Sequence, residues 1–111
     1  MDKLEQYRKH IKQLLSDYAG YFKVTEDMET EIVFDTDRDR YLVVHIGWEN
    51  HKFVYGCVLH LDIKNDKIWI QYDGTEIGFA NELVRLGVPK TDIVLAYHSP
   101  RMRQYNDFAV R

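Results

Sequence analysis

Three β-rich segments that follow one another with very short connections constrain the fold of this chain most strongly. They span residues 40–48, 53–64 and 67–72, and each is rich in Val, Ile, Leu, Tyr and Trp. Residues 49–52 join the first two segments, and Asn65-Asp66 joins the second pair. A parallel crossover needs about a dozen residues or more, so these connections predict an antiparallel β-meander with a tight hairpin turn at Asn65-Asp66.

Helical patterns flank the meander. In residues 3–18 apolar side chains recur every three or four positions, which predicts an amphipathic N-terminal helix that ends at Gly20. Thr75 is a predicted N-cap for a second helix over residues 76–86, with Gly87 after its end. The run from Asp73 to Gly78 lacks the glycine spacing and the lysine of a phosphate loop, so helix capping explains it better.

The rest of the chain completes an α+β architecture. Residues 93–97 predict a final short strand, and an irregular C-terminal tail with Arg101, Arg103 and Arg111 follows it. A chain of 111 residues suits one hydrophobic core. We therefore expect a single domain over residues 1–111: an N-terminal helix, an antiparallel β-meander, a second helix, a final short strand and the tail.

Charge is distributed unevenly along the chain. The formal net charge is −3, and the segment from Thr25 to Asp39 holds seven acidic residues against the single base Arg38. That segment is −6, so the remainder is +3. Nucleic-acid binding depends on cations, so this balance disfavours direct nucleic-acid binding by the chain alone. Inside the segment, residues 35–39 predict a turn, and the acidic stretch is expected to be a solvated loop or a patch facing a basic partner.

Composition also limits where in the cell the protein is expected. The lone Cys57 excludes an internal disulfide and a four-cysteine zinc site. Apolar runs stay far below the roughly 20 residues of a membrane span, and the first residues do not open a secretory signal. We expect a cytoplasmic protein with no membrane partner.

Alternation along the three strands predicts what each sheet face carries, because successive side chains point to opposite sides. The face predicted to be buried carries Leu42, Val44, Ile46, Trp48, Phe53, Tyr55, Cys57, Leu59, Leu61, Ile68, Ile70 and Tyr72. The opposite face would carry Tyr41, Val43, His45, Val54, Gly56, Val58, His60, Asp62, Trp69 and Gln71.

The second of these sets is too apolar for a fully wet surface, and two helices of modest length cover one face only. We therefore predict a partner surface on that side of the sheet. Its candidate contact residues are Tyr41, His45, Val54, Val58, His60, Trp69 and Gln71. The alternative is that the tail or a helix folds over this face.

Candidate chemistry is sparse. His60 and Asp62 lie two apart on one strand face, and His45 is a potential cross-strand neighbour, so a small metal-dependent hydrolase is one hypothesis. No metal-ligand spacing supports it, and a hydrogen-bonded structural pair explains these residues better. Cys57, among large apolar neighbours, is expected to be a buried, inert thiol. We predict no catalytic residue, metal ligand or cofactor.

Several stretches together are similar to the XisI family, the fdxN-element excision controlling factors, over nearly the whole length. They are residues 1–8 (MDKLEQYR), 47–48 (GW), 55–64 (YGCVLHLDIK), 67–78 (KIWIQYDGTEIG), 86–90 (LGVPK) and 93–100 (IVLAYHSP). The ending at residues 108–111 is more basic than the family pattern.

This resemblance implies a non-enzymatic accessory factor in programmed excision of a DNA element in cyanobacteria. It further implies contact with a companion, an XisH-like protein of a nuclease family, and it carries over no catalytic residue. An antitoxin-like inhibitor of that nuclease is an alternative. A twofold homodimer is a common use of an exposed sheet face and is also expected.

Overall fold

The computed structural model describes residues 2–21 and 26–111, so Met1 and Thr25, the first residue of the acidic segment, lie outside the described residues. Two helices and five strands follow one another along the chain. They are α1 (Lys3–Gly20), β1 (Met28–Asp35), β2 (Arg40–Glu49), β3 (Lys52–Lys64), β4 (Lys67–Asp73), α2 (Phe79–Arg85) and β5 (Ile93–Leu95). Short 3-10 turns span Lys90–Asp92 and Met102–Tyr105.

The strands form one sheet in the order β1-β2-β3-β4-β5. The first four are antiparallel neighbours, which confirms the meander, and β5 is parallel to β4 after the crossover through α2. The two-residue turns Asn50-His51 and Asn65-Asp66 all have positive φ, between 50° and 66°. Such turns match the right-handed twist of the flanking strands, and Asn and Asp tolerate this backbone region.

Strand β1 was not predicted, because three acidic residues among its eight weaken the β signal. It pairs with β2 along its whole length, from Met28 opposite Gly47 to Asp35 opposite Arg40. Glu29 and Glu31 are exposed on this edge strand. The acidic segment is therefore mostly a sheet edge rather than a loop.

The core lies between one face of the sheet and the two helices. Tyr18 of α1 meets Phe79 of α2 edge-on, with ring centroids 5.7 Å apart. Burying a large aliphatic or aromatic side chain contributes about 1.5–3 kcal/mol, so this cluster supplies most of the driving force for folding. Its buried members are Tyr7, Ile11, Leu15, Tyr41, Val43, Leu59, Leu61, Ile63, Ile68, Ile70, Phe79, Leu83, Val88, Ile93 and Leu95.

A β-bulge in β3 overturns part of the predicted face assignment. Val43 lies opposite Leu59 but Val44 lies opposite Cys57, which leaves Val58 without a partner position in β2. The extra residue shifts the alternation, so the odd-numbered residues of β3 after the bulge point to the core and those before it point away. The prediction that Trp48, Phe53, Tyr55 and Cys57 are buried is therefore wrong, and all four are exposed.

The same bulge explains the error on β2. Tyr41 pairs with Leu61 and Val43 pairs with Leu59, so both belong to the core face and not to the predicted partner face. A second irregularity lies between His60 and Leu61 along β3, where His60 faces Tyr72. Tyr72 is therefore on the side away from the helices and is exposed, contrary to the prediction.

Helix α2 begins later than predicted. Its N-cap is Gly78, and Thr75 does not cap it. Instead the Asp73 carboxylate accepts hydrogen bonds from the Phe79 backbone N–H at 2.8 Å and from the Thr75 backbone and hydroxyl at 2.9 and 2.6 Å. Residues 74–78 thus form a loop closed by Asp73 in front of the helix.

An ion pair between α1 and the β1–β2 hairpin makes stability depend on pH. Arg8 donates two hydrogen bonds to the Asp39 carboxylate, at 2.7 and 3.1 Å, and the Tyr41 hydroxyl donates a third at 2.9 Å. The hydrogen bond from Arg8 holds the pKa of Asp39 below its usual value. Since the pKa is depressed on folding, the stabilisation is present above about pH 4 and is lost as pH falls through the folded-state pKa.

We expect Asp39→Asn to lower the free energy of unfolding by about 1–3 kcal/mol at pH 7, since the amide forms no ion pair with Arg8. The difference from the unmodified chain should shrink as pH falls through the lowered pKa of Asp39, because the wild-type carboxyl becomes protonated there. Urea titrations at several pH values measure this. Asp37→Asn, an exposed neighbour, is the matched control and should change little; an Asp39→Asn defect that stays constant with pH would contradict the linkage.

Candidate interaction surface on the open sheet face

The sheet face turned away from the helices, here called the open face, carries an exposed cluster of large side chains. At its β2–β3 end Tyr55 is 71% exposed, and Trp48 and Phe53 are each 57% exposed. These three side chains, with Val33 of β1 and Cys57, form what we call the aromatic patch. Half-buried Leu42, Val44 and Ile46 lie between them on the same face.

Local structure fixes the patch. Trp48 lies directly opposite Phe53, and their ring centroids are 5.5 Å apart in an edge-to-face arrangement. Cross-strand aromatic pairs of this kind stabilise a hairpin and fix its side-chain directions. The patch is therefore a surface whose side chains are positioned by the pairing of β2 and β3.

Gly47 allows Asp27, the residue before β1, to approach β2 closely near the β2–β3 turn. Its φ is +148°, and a Cβ atom there would lie 2.0 Å from the Asp27 carbonyl oxygen. That oxygen accepts a 2.8 Å hydrogen bond from the Trp48 backbone N–H. A residue larger than glycine would break this contact and displace Trp48.

The composition of the patch is typical of a binding surface. Contiguous exposed aromatic and aliphatic side chains mark protein–protein contacts, where Trp and Tyr supply much of the binding energy. An exposed apolar cluster thus lies on the open face, and its members differ from the predicted contact residues. Sequence reasoning missed Trp48, Phe53 and Tyr55, although Trp48 and Phe53 flank a short turn and Tyr55 is two residues after Phe53.

The predicted contact residues are dispersed. Tyr41 is fully buried in the core, so its predicted exposure is wrong, and Trp69 is 8% exposed. His45 and Val54 are half-buried on the helix side, by their register opposite Gly56 and Gly47. The remaining three, Val58, His60 and Gln71, are half-buried at or beside the two strand irregularities.

A polar cluster occupies the centre of the open face. Asp62 is buried, and one of its carboxylate oxygens is 2.9 Å from His60 Nε2. The other accepts from Arg40 at 3.4 Å and from Gln71 at 3.3 Å. These partners satisfy the buried carboxylate, which makes the cluster a structural link between β2, β3 and β4.

The geometry does not assemble the hydrolase trio. His60 lies opposite Leu42, whereas His45 lies opposite Gly56 on the other face and is 3.0 Å from the Thr30 hydroxyl. His45 is therefore not a cross-strand neighbour of the His60–Asp62 pair, which the hydrolase hypothesis requires. Within residues 2–21 and 26–111, no group of three or more His, Cys, Asp or Glu side chains is placed to hold a metal ion.

The tail covers the β4–β5 end of the open face, as the alternative prediction allowed. Ala109 forms a bridge beside Val94, and its backbone N–H donates to the Ile93 carbonyl at 2.8 Å. Two cations lie close to the Trp69 ring, with Lys64 Nζ at 4.0 Å and the Arg103 guanidinium at 5.5 Å from its centroid. The open face therefore has a covered end and an exposed aromatic end.

Cys57 differs from its prediction in one respect. The residue is exposed rather than buried, and its thiol donates to the Leu59 carbonyl at 3.1 Å. Partial burial of the sulfur raises the pKa of the thiol, so it is protonated at neutral pH. A protonated thiol is a poor nucleophile.

Among the described helices, none combines the length and apolar character needed to cross a membrane.

Comparison with known proteins gives consistent results. The sequence profile of the XisI protein family matches residues 1–110. A crystal structure of a XisI-like protein from Anabaena variabilis is 41% identical, with a TM-score of 0.93, covering 97% of this chain and 99% of that one. The fdxN element excision controlling factor XisI from the same organism is 35% identical, with a TM-score of 0.88, covering 99% of this chain and 100% of that one. No curated protein sequence matches.

Proposed function

The chain belongs to the XisI family, and from this premise we propose that it is a controlling factor in excision of a DNA element that acts by protein–protein contact and without catalysis. The observation that carries the proposal is the aromatic patch, which exposes Trp48, Phe53 and Tyr55 on the β2–β3 hairpin. Few monomeric proteins leave such a cluster in water without a partner to cover it.

The proposed partner is the XisH-like, nuclease-family companion. A protein that handles DNA exposes cations toward the phosphate backbone, and the acidic side chains of β1 are complementary to such a surface. Glu29 and Glu31 are exposed on β1, next to the patch. Apolar contact at the patch would provide affinity, while the acidic edge would orient and accelerate docking.

The acidic edge also favours a more specific role as an antitoxin-like inhibitor. A negatively charged strand placed over a DNA-binding surface occupies the position of the phosphates. Under this reading the chain restrains its companion until excision is required.

Co-purification with the companion, followed by a nuclease assay with and without this chain, tests the function. We expect a stable complex and a changed rate of DNA cleavage; a lowered rate supports the inhibitor and a raised or redirected rate supports the excision factor. Absence of any complex at micromolar concentrations would overturn the proposal. A His60→Ala variant that still binds the companion but loses an activity of the isolated chain would instead favour the hydrolase hypothesis.

A twofold homodimer is a further proposal for the same patch, since the same surface on two copies is self-complementary when it is mainly apolar. Molecular mass by light scattering over a range of concentrations measures it. If the second copy of the chain and the companion bind the same patch, addition of the companion should convert the homodimer into a mixed complex. A homodimer that persists inside that complex would place the two contacts on different surfaces.

A further inference from the structure

Strand β1 forms an edge of the sheet, here called the open edge. Among the described residues it pairs with β2 alone, over eight residues and with an uninterrupted register. At the other end of the sheet, β5 has three residues and the bridge to Ala109 beside it. Half of the main-chain N–H and C=O groups of a long edge strand point away from its partner, so such a strand can accept a further one.

The register with β2 shows which main-chain groups face the open edge. The Trp48 N–H donates to the Asp27 carbonyl at 2.8 Å, so positions 27 and 48 are a hydrogen-bonded pair. In an antiparallel ladder such pairs recur at every second residue. The odd-numbered residues of β1 therefore bond to β2. The even-numbered residues direct their N–H and C=O groups to the open edge, and they are Met28, Thr30, Ile32 and Phe34.

Acidic side chains alternate with other side chains along this edge. Glu29 lies opposite Ile46 and Glu31 lies opposite Val44, so both carboxylates stand on the open face, about 7 Å apart along the strand. In the part of the chain that the structure describes, neither forms an ion pair. Ile32 points to the helix side of the sheet and is 39% exposed.

This alternation determines which added strand fits. The added strand would place every second side chain beside Glu29 and Glu31, where opposite charges stabilise a strand pair and like charges destabilise it. Its other side chains would lie beside Ile32, where an apolar residue removes exposed surface from water. Val33, 43% exposed on the open face, extends the contact toward the rest of the aromatic patch. The edge therefore fits an extended segment in which Lys or Arg alternates with apolar residues.

We propose that the companion adds such a segment to β1 as a further strand of the sheet, held by main-chain hydrogen bonds to Thr30 and Ile32. The identity of the partner rests on the proposed function, and strand addition specifies how the acidic edge binds it. Main-chain bonds give such a contact its affinity, and the alternating side chains give it specificity. A folded basic surface would contact the carboxylates but would leave the main-chain groups of the edge in water.

A fluorescein-labelled peptide of alternating Lys and Val, matched to the eight residues of β1, tests the edge on the isolated chain by fluorescence anisotropy. We expect it to bind at least about tenfold more tightly than a peptide with the same residues in two blocks, because alternation puts all its cations on one face. Methylating the main-chain nitrogens of every second peptide residue should weaken binding about tenfold for one of the two alternate sets. The other set should have little effect, since its N–H groups point away from β1.

Amide hydrogen exchange shows where the peptide binds. With the peptide at about ten times its Kd, protection should rise about tenfold at the amides of Thr30 and Ile32. The amides of Glu29 and Glu31 already bond to β2 and should change much less. General electrostatic attraction would not produce this alternation, so uniform or absent protection along β1 would overturn strand addition.

Two variants change the edge itself. Ile32→Pro removes an N–H that faces the open edge and not β2, so the chain should fold and lose at least about tenfold in affinity for both the peptide and the companion. Glu29→Lys/Glu31→Lys should lose the lysine peptide and bind a peptide of alternating Glu and Val instead. Glu76→Lys/Asp107→Lys is the matched control, with the same change in net charge at exposed positions before α2 and in the tail.

Equal binding of the alternating and the blocked peptide would overturn the proposal, as would an equal loss in the control or normal companion binding by Ile32→Pro. A homodimer that Ile32→Pro dissociates would assign the edge to a second copy and also overturn it. If the proline prevents folding, the methylated peptides and the lysine variant decide. Failure of the unmodified chain to bind the companion would overturn the proposed function, whereas the peptide results concern β1 alone, so the two failures are distinguishable.

Discussion

Tyr55→Glu is expected to weaken binding to the companion by at least about thirtyfold, because a carboxylate would replace an aromatic ring in a contact that excludes water. Tyr55 is the most exposed side chain of the aromatic patch, and it makes no contact with the core cluster. The free energy of unfolding should therefore stay within about 0.5 kcal/mol of that of the unmodified chain. Isothermal titration with the purified companion measures the affinity.

Tyr21→Glu is the matched control, since Tyr21 is 80% exposed at the end of α1 and away from the sheet. It introduces the same side chain and should leave affinity unchanged. Equal affinity of Tyr55→Glu and the unmodified chain would contradict a role for the patch. Trp69→Glu is not a suitable test, because Trp69 is packed beneath the tail and its replacement would disturb folding.

Arg103→Ala is expected to lower the free energy of unfolding by about 3 kcal/mol, the second large effect. The substitution removes three hydrogen bonds that join the carbonyls of Ala96, His98 and Val110, and it leaves those oxygens to find water. It also removes a cation from the face of the Trp69 ring. Chemical denaturation followed by tryptophan fluorescence measures both stability and the exposure of that ring.

Limited proteolysis extends the test to the tail itself. We expect Arg103→Ala to be cut within residues 97–111 much faster than the unmodified chain, since the guanidinium links the two ends of this segment. Arg103→Lys should not rescue stability, because one ammonium group cannot reach three separate carbonyls in the same planar arrangement. Arg101→Ala, at an exposed position, is the control. A stable Arg103→Ala variant with a protected tail would show that Ala109 and Val94 suffice to hold it.

The order and direction of the central strands could be predicted from the sequence because short connections leave little choice. Residues 49–52 and Asn65-Asp66 are too short for anything but hairpins, and the structure has both. The amphipathic pattern of α1 was equally clear. In contrast, β1 was not predicted from the sequence. It is an edge strand, and an edge strand accepts acidic side chains at positions where a central strand needs apolar ones.

The faces of the sheet were harder to predict than its topology. Strict alternation from Phe53 to Leu61 puts five apolar side chains on one side, and nothing in the residue types marks Val58 as the extra one. At a bulge the registers of strand pairing on its two sides differ by one residue. Its position can be predicted only when both registers are known. The error at one residue moved Tyr41 and Tyr55 to the wrong faces together, and it therefore altered the membership of the candidate surface.

The candidate site itself was predicted as a surface but not as a set of residues. The excess of aromatic residues over what one small core can bury correctly indicated an exposed cluster. The position of the tail was not predictable, because Arg103 is held by main-chain carbonyls, which are present everywhere in a sequence. Side chains that bind the backbone leave no pairing pattern to detect.

The acidic character of β1 has a consequence for polymerisation. A sheet can lengthen when an unpaired edge strand adds the edge of another molecule. The bridge between Val94 and Ala109 shields the β5 edge, so growth would begin at β1. Two β1 edges brought together would place Glu29 and Glu31 against like charges, which opposes fibre formation near neutral pH.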